Sequence, residues 1–236
     1  MTTNYQWLGS IAKLGLLLMM GVSMSADAGL FGFGSTNWKE EALQNDGSVI
    51  IVKRSQSRGG RHIIGDIPPI KAQSITFTLP NSDKVITWKD EATEDVGHAN
   101  FDILALHILN GTPYLVTSPS LCVAYNKMGR PNPPYIFFKY AGAEWQRIPL
   151  SQFPAEFKNF NLIISTPDDE NELTSQSPIL VAVIKKYNSR MTQLEYQTIA
   201  RKPGGYSALG CIDFNTPQMR SPKAPIPIPP KNDPQK

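Results

Sequence analysis

Apolar and polar residues alternate most cleanly at Ile75–Leu79, where Ile75, Phe77 and Leu79 interleave with Thr76 and Thr78. A period of two places the apolar residues on one face of a strand. Pro80-Asn81-Ser82-Asp83 then turns the chain and Val85–Trp88 returns, which predicts a hairpin. Asp46-Gly47 marks an earlier turn, and Val49–Arg54 follows it as the first strand. Trp38–Ala42 is too short to define a helix. In Phe101–Leu109 the residues Ile103, Leu104, Leu106, Ile108 and Leu109 do not alternate, so the run fits a strand buried on both faces or a short helix. Asn110-Gly111 and Tyr114–Thr117 come next, and two apolar runs around Asn-Gly favour a hairpin, because both turn residues tolerate positive φ.

Further along, Leu121–Tyr125 is a strand candidate and 126–134 (NKMGRPNPP) a loop. Tyr135–Tyr140, the turn Ala141-Gly142-Ala143 and Trp145–Pro149 predict another hairpin. Leu162–Ser165, Ile179–Tyr187, Leu194–Arg201 and Leu209–Phe214 complete the strands. One short helix is expected from Thr166-Pro167-Asp168-Asp169, ending before Ser177-Pro178. Threonine caps it, proline takes the first helical position, and the aspartates face the positive helix end. About ten strands with Gly, Pro and Asn turns predict an all-β domain, an antiparallel sandwich or barrel with one or two short helices. Propeller-like sheets are the alternative, ranked lower because no clean repeat of 40–50 residues is seen.

The ends of the chain change the picture. Lys13, the apolar run 14–22 (LGLLLMMGV) and Ala26-Asp27-Ala28 have the order of a secretory signal peptide, predicting residues 1–28 as a cleaved leader. The run is shorter than the roughly 20 residues of a membrane-spanning helix. Residues 29–37 read as a flexible start, 38–216 as a single all-β domain, and 217–236 as a proline-rich disordered tail. The leader implies export to the periplasm or beyond. There the two cysteines, Cys122 and Cys211, are expected to pair. The bridge closes a loop of about 90 residues, which chain entropy values at up to roughly 4.5 kcal/mol.

Three blocks resemble a family of exported proteobacterial proteins that has no assigned activity. They are Trp38-Lys39-Glu40-Glu41 with Asp46-Gly47 and VIIVKR; Gly59-Gly60-Arg61-His62; and 129–140 (GRPNPPYIFFKY) running into 144–150 (EWQRIPL). The likeness spans about Trp38 to Pro167. It implies a bacterial envelope origin and carries no catalytic or binding residue.

The net charge of +3 lacks the basic excess of a nucleic-acid binder. The segment 53–62 carries Lys53, Arg54, Arg58, Arg61 and His62 around Gly59-Gly60. Arginines on a loop bind phosphate or carboxylate through paired hydrogen bonds, so Arg54, Arg58, Arg61 and His62 are anion-binding candidates. Tyr135, Phe137 and Trp145 are candidates for an aromatic surface that stacks on sugars or meets a protein. His62, His98 and His107 lack metal-pair spacing, and no cofactor or metal site is expected. Glu40, Glu41, Glu91, Glu94 and Asp95 offer carboxylates, but nothing in the sequence selects a pair.

The expectation is therefore an exported envelope protein that binds rather than catalyses. Its partner is another envelope protein or an anionic or glycan polymer, and after cleavage it has no membrane span. The competing class is an envelope hydrolase using carboxylates. A tryptic mass map with and without reductant checks the cysteine pairing: reduction is expected to shift the Cys122 and Cys211 peptides, and an unshifted map refutes the bridge.

Overall fold

The computed structural model of the protein describes residues 35–60, 62–165 and 171–215. The expected leader, residues 29–34, Arg61, the helix start at Thr166–Asp169 and the tail lie outside them. The described residues fall in one compact unit that begins at Ser35.

Two four-stranded antiparallel sheets form a sandwich-like all-β fold. The first holds β1 (Ser35–Leu43), β2 (Val49–Arg58), β3 (Ile70–Thr78) and β4 (Val85–Glu91) in chain order. The second holds β5 (Phe101–Leu109), β6 (Thr112–Pro119), β7 (Ile136–Ala141) and β8 (Glu144–Ile148), again in chain order. Turn chemistry explains the simple order. Asn110 and Gly111 take φ of 51° and 72°, the positive values that a two-residue hairpin turn needs to follow strand twist. Gly142 and Ala143 do the same between β7 and β8, at 61° and 71°.

β1 overturns the reading of 35–37 as a flexible start and gives Trp38–Ala42 a definite structure. Nine residues pair with β2. Trp38, Glu40 and Ala42 point inward, and the carboxylate among them disguises the alternation. β5 explains its own irregular pattern through a bulge between Ile103 and Ala105. The extra residue shifts the phase of alternation by one. Ile103 and Leu106 therefore enter the core between the sheets, with Val52, Ile75, Phe77, Trp88 and Leu115. Leu104 and Ala105 face the opposite way, into a second core with Val116, Phe137, Phe153, Phe157 and Ile199. The second sheet is thus buried on both faces, by the first sheet and by the chain after β8.

That C-terminal third departs from the expected strands. Leu121–Tyr125 lies in helix α1 (Leu121–Lys127), which turns Ala124 and Tyr125 inward at adjacent helical positions. Short apolar runs fit either element, and tertiary contacts decide. Ile179–Tyr187 contributes only Ile179 to strand pairing, as a parallel bridge to Glu40 of β1. Its remainder is helix α3 (Val181–Asn188), whose first N–H donates to Glu41 Oε2 at 3.0 Å. A single turn, α2 (Asn171–Thr174), precedes it. Leu194–Arg201 and Leu209–Phe214 hold 3-10 turns at Leu194–Tyr196 and Ser207–Gly210. The Cys122–Cys211 disulfide ties α1 to the second of these turns.

Leu162–Ser165 is not a strand either, though Leu162, Ile163 and Ile164 are buried. Side chains replace the ladder. The Ile163 N–H donates to Glu40 Oε2 at 2.9 Å, and its carbonyl accepts from Arg54 Nη1 at 2.8 Å. Asn188 Oδ1 accepts from the Ile164 N–H at 3.1 Å, and Asn188 Nδ2 donates to the Leu162 carbonyl at 2.7 Å. Glu40 and Arg54 are themselves an ion pair at 3.0 Å, 0% and 4% exposed. No described helix is long and apolar enough to cross a membrane.

Removing one partner of a buried pair leaves an unpaired charge and costs about 3–5 kcal/mol. Glu40→Ala is expected to lower urea-unfolding stability by that amount. Glu40→Gln, which keeps an oxygen for the Ile163 N–H while removing the charge, is expected to lose most of that amount too, and a loss below about 1 kcal/mol would refute the charge argument.

Candidate functional site

Strand alternation decides where the basic segment goes. Arg54, Gln56 and Arg58 share the inward face of β2, while Lys53 points out. Arg54 is therefore no loop cation. It is consumed by Glu40 and the Ile163 carbonyl, with its guanidinium 4.9 Å from the centre of the Trp38 ring. Arg58 is half-buried and donates to the Pro68 carbonyl at 3.1 Å. His62 is exposed on the loop beyond, with Nδ1 donating to the Gly60 carbonyl. The four anion-binding candidates do not form one cluster: Arg54 and Arg58 line a cavity, His62 does not, and Arg61 lies outside the described residues.

The aromatic candidates are also corrected. Tyr135 and Phe137 are 3% and 4% exposed, so neither offers a surface. Phe137 stacks on Phe153 at 4.5 Å in the core. The Tyr135 hydroxyl donates to the Glu195 carbonyl at 2.6 Å, which fixes the turn carrying Tyr196. Trp145 is half-buried against Tyr140, its Nε1 donating to the Thr87 carbonyl at 3.0 Å, and so joins β8 to β4. Three of the candidate carboxylates have separate partners: Glu40 pairs with Arg54, Glu41 caps α3, and Asp95 pairs with Lys127.

What the fold does bring together is a cleft. One cavity of about 340 Å³ is lined by Arg58, Gln73, Asp102, Ile164, Met191 and Tyr196. A second, of about 310 Å³, is lined by Ser118, Pro119, Tyr125, Tyr135 and the Cys122–Cys211 bridge. Asp102 and Tyr196 line both cavities. Asp102 enters β5 directly after the crossover from the first sheet. Asp90, at the end of β4, anchors that crossover: its carboxylate accepts from Gln73 Nε2 at 3.1 Å, Asn100 Nδ2 at 3.1 Å and the Phe101 N–H at 3.0 Å. Gln73 also donates to the Phe101 carbonyl.

Burial sets the chemistry of the junction. Loss of solvent pushes the Asp102 carboxyl up to about 6, against the opposing pull of its hydrogen bond with Ser120 and of the His98 and Arg54 charges; Asp90 adds a smaller push upward. Desolvation likewise raises the Asp90 carboxyl, opposed by its three donors. Tyr196 rises to about 12 through burial and the neighbouring Asp102 and Glu195 carboxyls. The cleft therefore offers a guanidinium, a phenol that keeps its proton and a carboxyl that changes state near pH 6. Sequence reading missed Gln73, Asp102 and Tyr196. The available signal was Asp102, an acid inside the otherwise apolar start of Phe101–Leu106.

A smaller cavity of about 120 Å³ lies between β1, β5 and α3, lined by Glu41, Gln44, His107, Lys158, Val181 and Lys185. His107 stacks on Phe157 at 4.5 Å and donates from Nε2 to the Asn159 carbonyl at 2.9 Å. Burial lowers its imidazole to about 4. No three His, Cys, Asp or Glu side chains gather as a metal site among the described residues.

Comparison with known protein families, curated proteins and solved structures finds no match to this chain.

The two shifted groups pull stability in opposite directions. Folded Asp102 keeps its proton to about 6 instead of 3.8, so the stability it lends is present at low pH and lost as pH rises through about 6. Folded His107 loses its proton at about 4 instead of 6.5, so its contribution is present above 6.5 and lost as pH falls through about 4. Urea unfolding of Asp102→Asn is expected to show stability climbing more steeply with pH across this window than in the parent. His107→Gln is expected to show the opposite change, and superimposable profiles for the three proteins would refute both assignments.

Proposed function

We propose that this chain is a non-catalytic binding module of the bacterial envelope, and that its cleft holds an extended, hydroxyl-rich or anionic polymer. One observation carries the reading: two cavities of similar size share Asp102 and Tyr196 in their walls, which sets two neighbouring hollows beside one acidic and one aromatic side chain. Arg58 supplies a guanidinium in one cavity, and the half-buried Tyr196 supplies an aromatic wall to both. Sugar chains need both, with paired hydrogen bonds to hydroxyls and flat apolar surfaces beneath the rings. The leader-like start, the paired cysteines and the likeness to exported proteins support an address outside the cytoplasm.

A second reading rests on Asp102 itself. A carboxyl shifted to about 6 in the walls of two cavities suits a general acid, as an envelope hydrolase requires.

Co-sedimentation with purified peptidoglycan sacculi and a pull-down on immobilised lipopolysaccharide test the first reading. The protein is expected to be retained by at least one, and Tyr196→Ala with Arg58→Ala is expected to weaken retention by about tenfold or more. Recovery in the unbound fraction from both would refute it. Soluble glycan fragments released from sacculi by the parent, and absent with Asp102→Asn, would favour the hydrolase instead.

A further inference from the structure

The loop between β2 and β3 carries the most exposed apolar side chains in the described structure. Ile63, Ile64 and Ile67 are 74%, 99% and 45% exposed. Exposed isoleucine costs free energy in water, and three within five residues form a patch rather than scatter. The loop is built to hold them out. Its stem is closed by the Gly59 N–H on the Pro69 carbonyl at 3.0 Å and by Arg58 on the Pro68 carbonyl. The Asp66 N–H returns to the Ile63 carbonyl at 3.0 Å, and Gly65 takes φ of 98°, a conformation that favours glycine. Pro68 and Pro69 stiffen the exit.

We propose that this loop inserts into an anionic lipid surface. Ile63 and Ile64 stand almost wholly clear of the protein, so a protein partner would need a matching pocket, whereas fluid hydrocarbon needs no matching shape. The base carries charge of the fitting sign. Arg58 and Lys71 stand in the segment against the single acid Asp66, and the Lys71 chain lies beside Gly59 at the stem. An apolar tip above basic groups is the pattern by which surface-bound proteins combine hydrocarbon burial with attraction to anionic headgroups. Arg58 belongs both to the stem and to the wall of the cleft, so insertion would hold the cleft against the membrane face. The inference stands apart from the polymer reading, since it uses neither Asp102 nor Tyr196.

Co-sedimentation with vesicles of phosphatidylcholine alone, and of phosphatidylcholine mixed with phosphatidylglycerol, tests it. The protein is expected to pellet with the mixed vesicles and to stay in solution with the neutral ones. Ile64→Glu, at a fully exposed position where folding is undisturbed, is expected to lower the partition by about tenfold or more. Asp102→Ala with Tyr196→Ala is expected to pellet as the parent does, which separates this inference from the cleft. Recovery of the parent in the supernatant of both vesicles overturns the proposal. So does pelleting that Ile64→Glu leaves unchanged. A lipid-independent dimer that Ile64→Glu dissociates, seen by light scattering, would assign the loop to a second copy of the chain and likewise overturn it.

Discussion

The Glu40–Arg54 pair holds the molecule together, because it supplies backbone partners to a segment that has no strand to join. Ile163 and its neighbours cross a buried region outside any strand, and their amide groups must be bonded there. A ladder would demand another strand. Glu40 and Arg54 meet the demand with one carboxylate oxygen and one guanidinium nitrogen, while their opposite charges offset each other's desolvation. Trp38 covers the guanidinium, and the chain beyond can then lay Leu173, Ile179 and Ile184 around Trp38 and Ile163. Most of the C-terminal third, including the residues that wall the cleft, hangs from this arrangement.

The same economy explains what was readable in advance. The hairpins were legible because they rest on local chemistry: Asn110-Gly111 accepts positive φ wherever it occurs. The paired cysteines were legible because their count and the leader-like start agree. The residues after Ile148 were not, because their backbone partners are side chains far away in sequence, such as Glu40, Glu41 and Asn188. No periodicity records a bond between positions 40 and 163. Arg54 was misplaced for a related reason. Counted as charge it belongs on a loop, but the strand runs four residues further, to Arg58, and turns Arg54 inward toward a carboxylate that looks solvent-exposed in sequence. The cleft was invisible because Gln73, Asp102 and Tyr196 come from three distant segments, and only the crossover braced by Asp90 sets the first two side by side.

Burial without a dedicated cationic partner distinguishes the cleft from the core pair. Glu40 faces Arg54 directly. Asp102 has a hydrogen bond and more remote charges, so solvent loss dominates and its proton is retained to near neutrality. A fold can keep such a group because the cost is confined to one site.

Gln44 and Asn161 lie along the outer side of β5 and bond to Leu106 and Ile108 as a neighbouring strand would. Ile179 does the same along β1. On the far side, the Trp145 indole occupies the Thr87 carbonyl of β4. Bare sheet margins invite other extended chains to add themselves, the route that leads from one sandwich to a fibril. At these points of β5, β1 and β4 the chain's own amides and indole stand where an added strand would bond, so a further strand would have to displace them first.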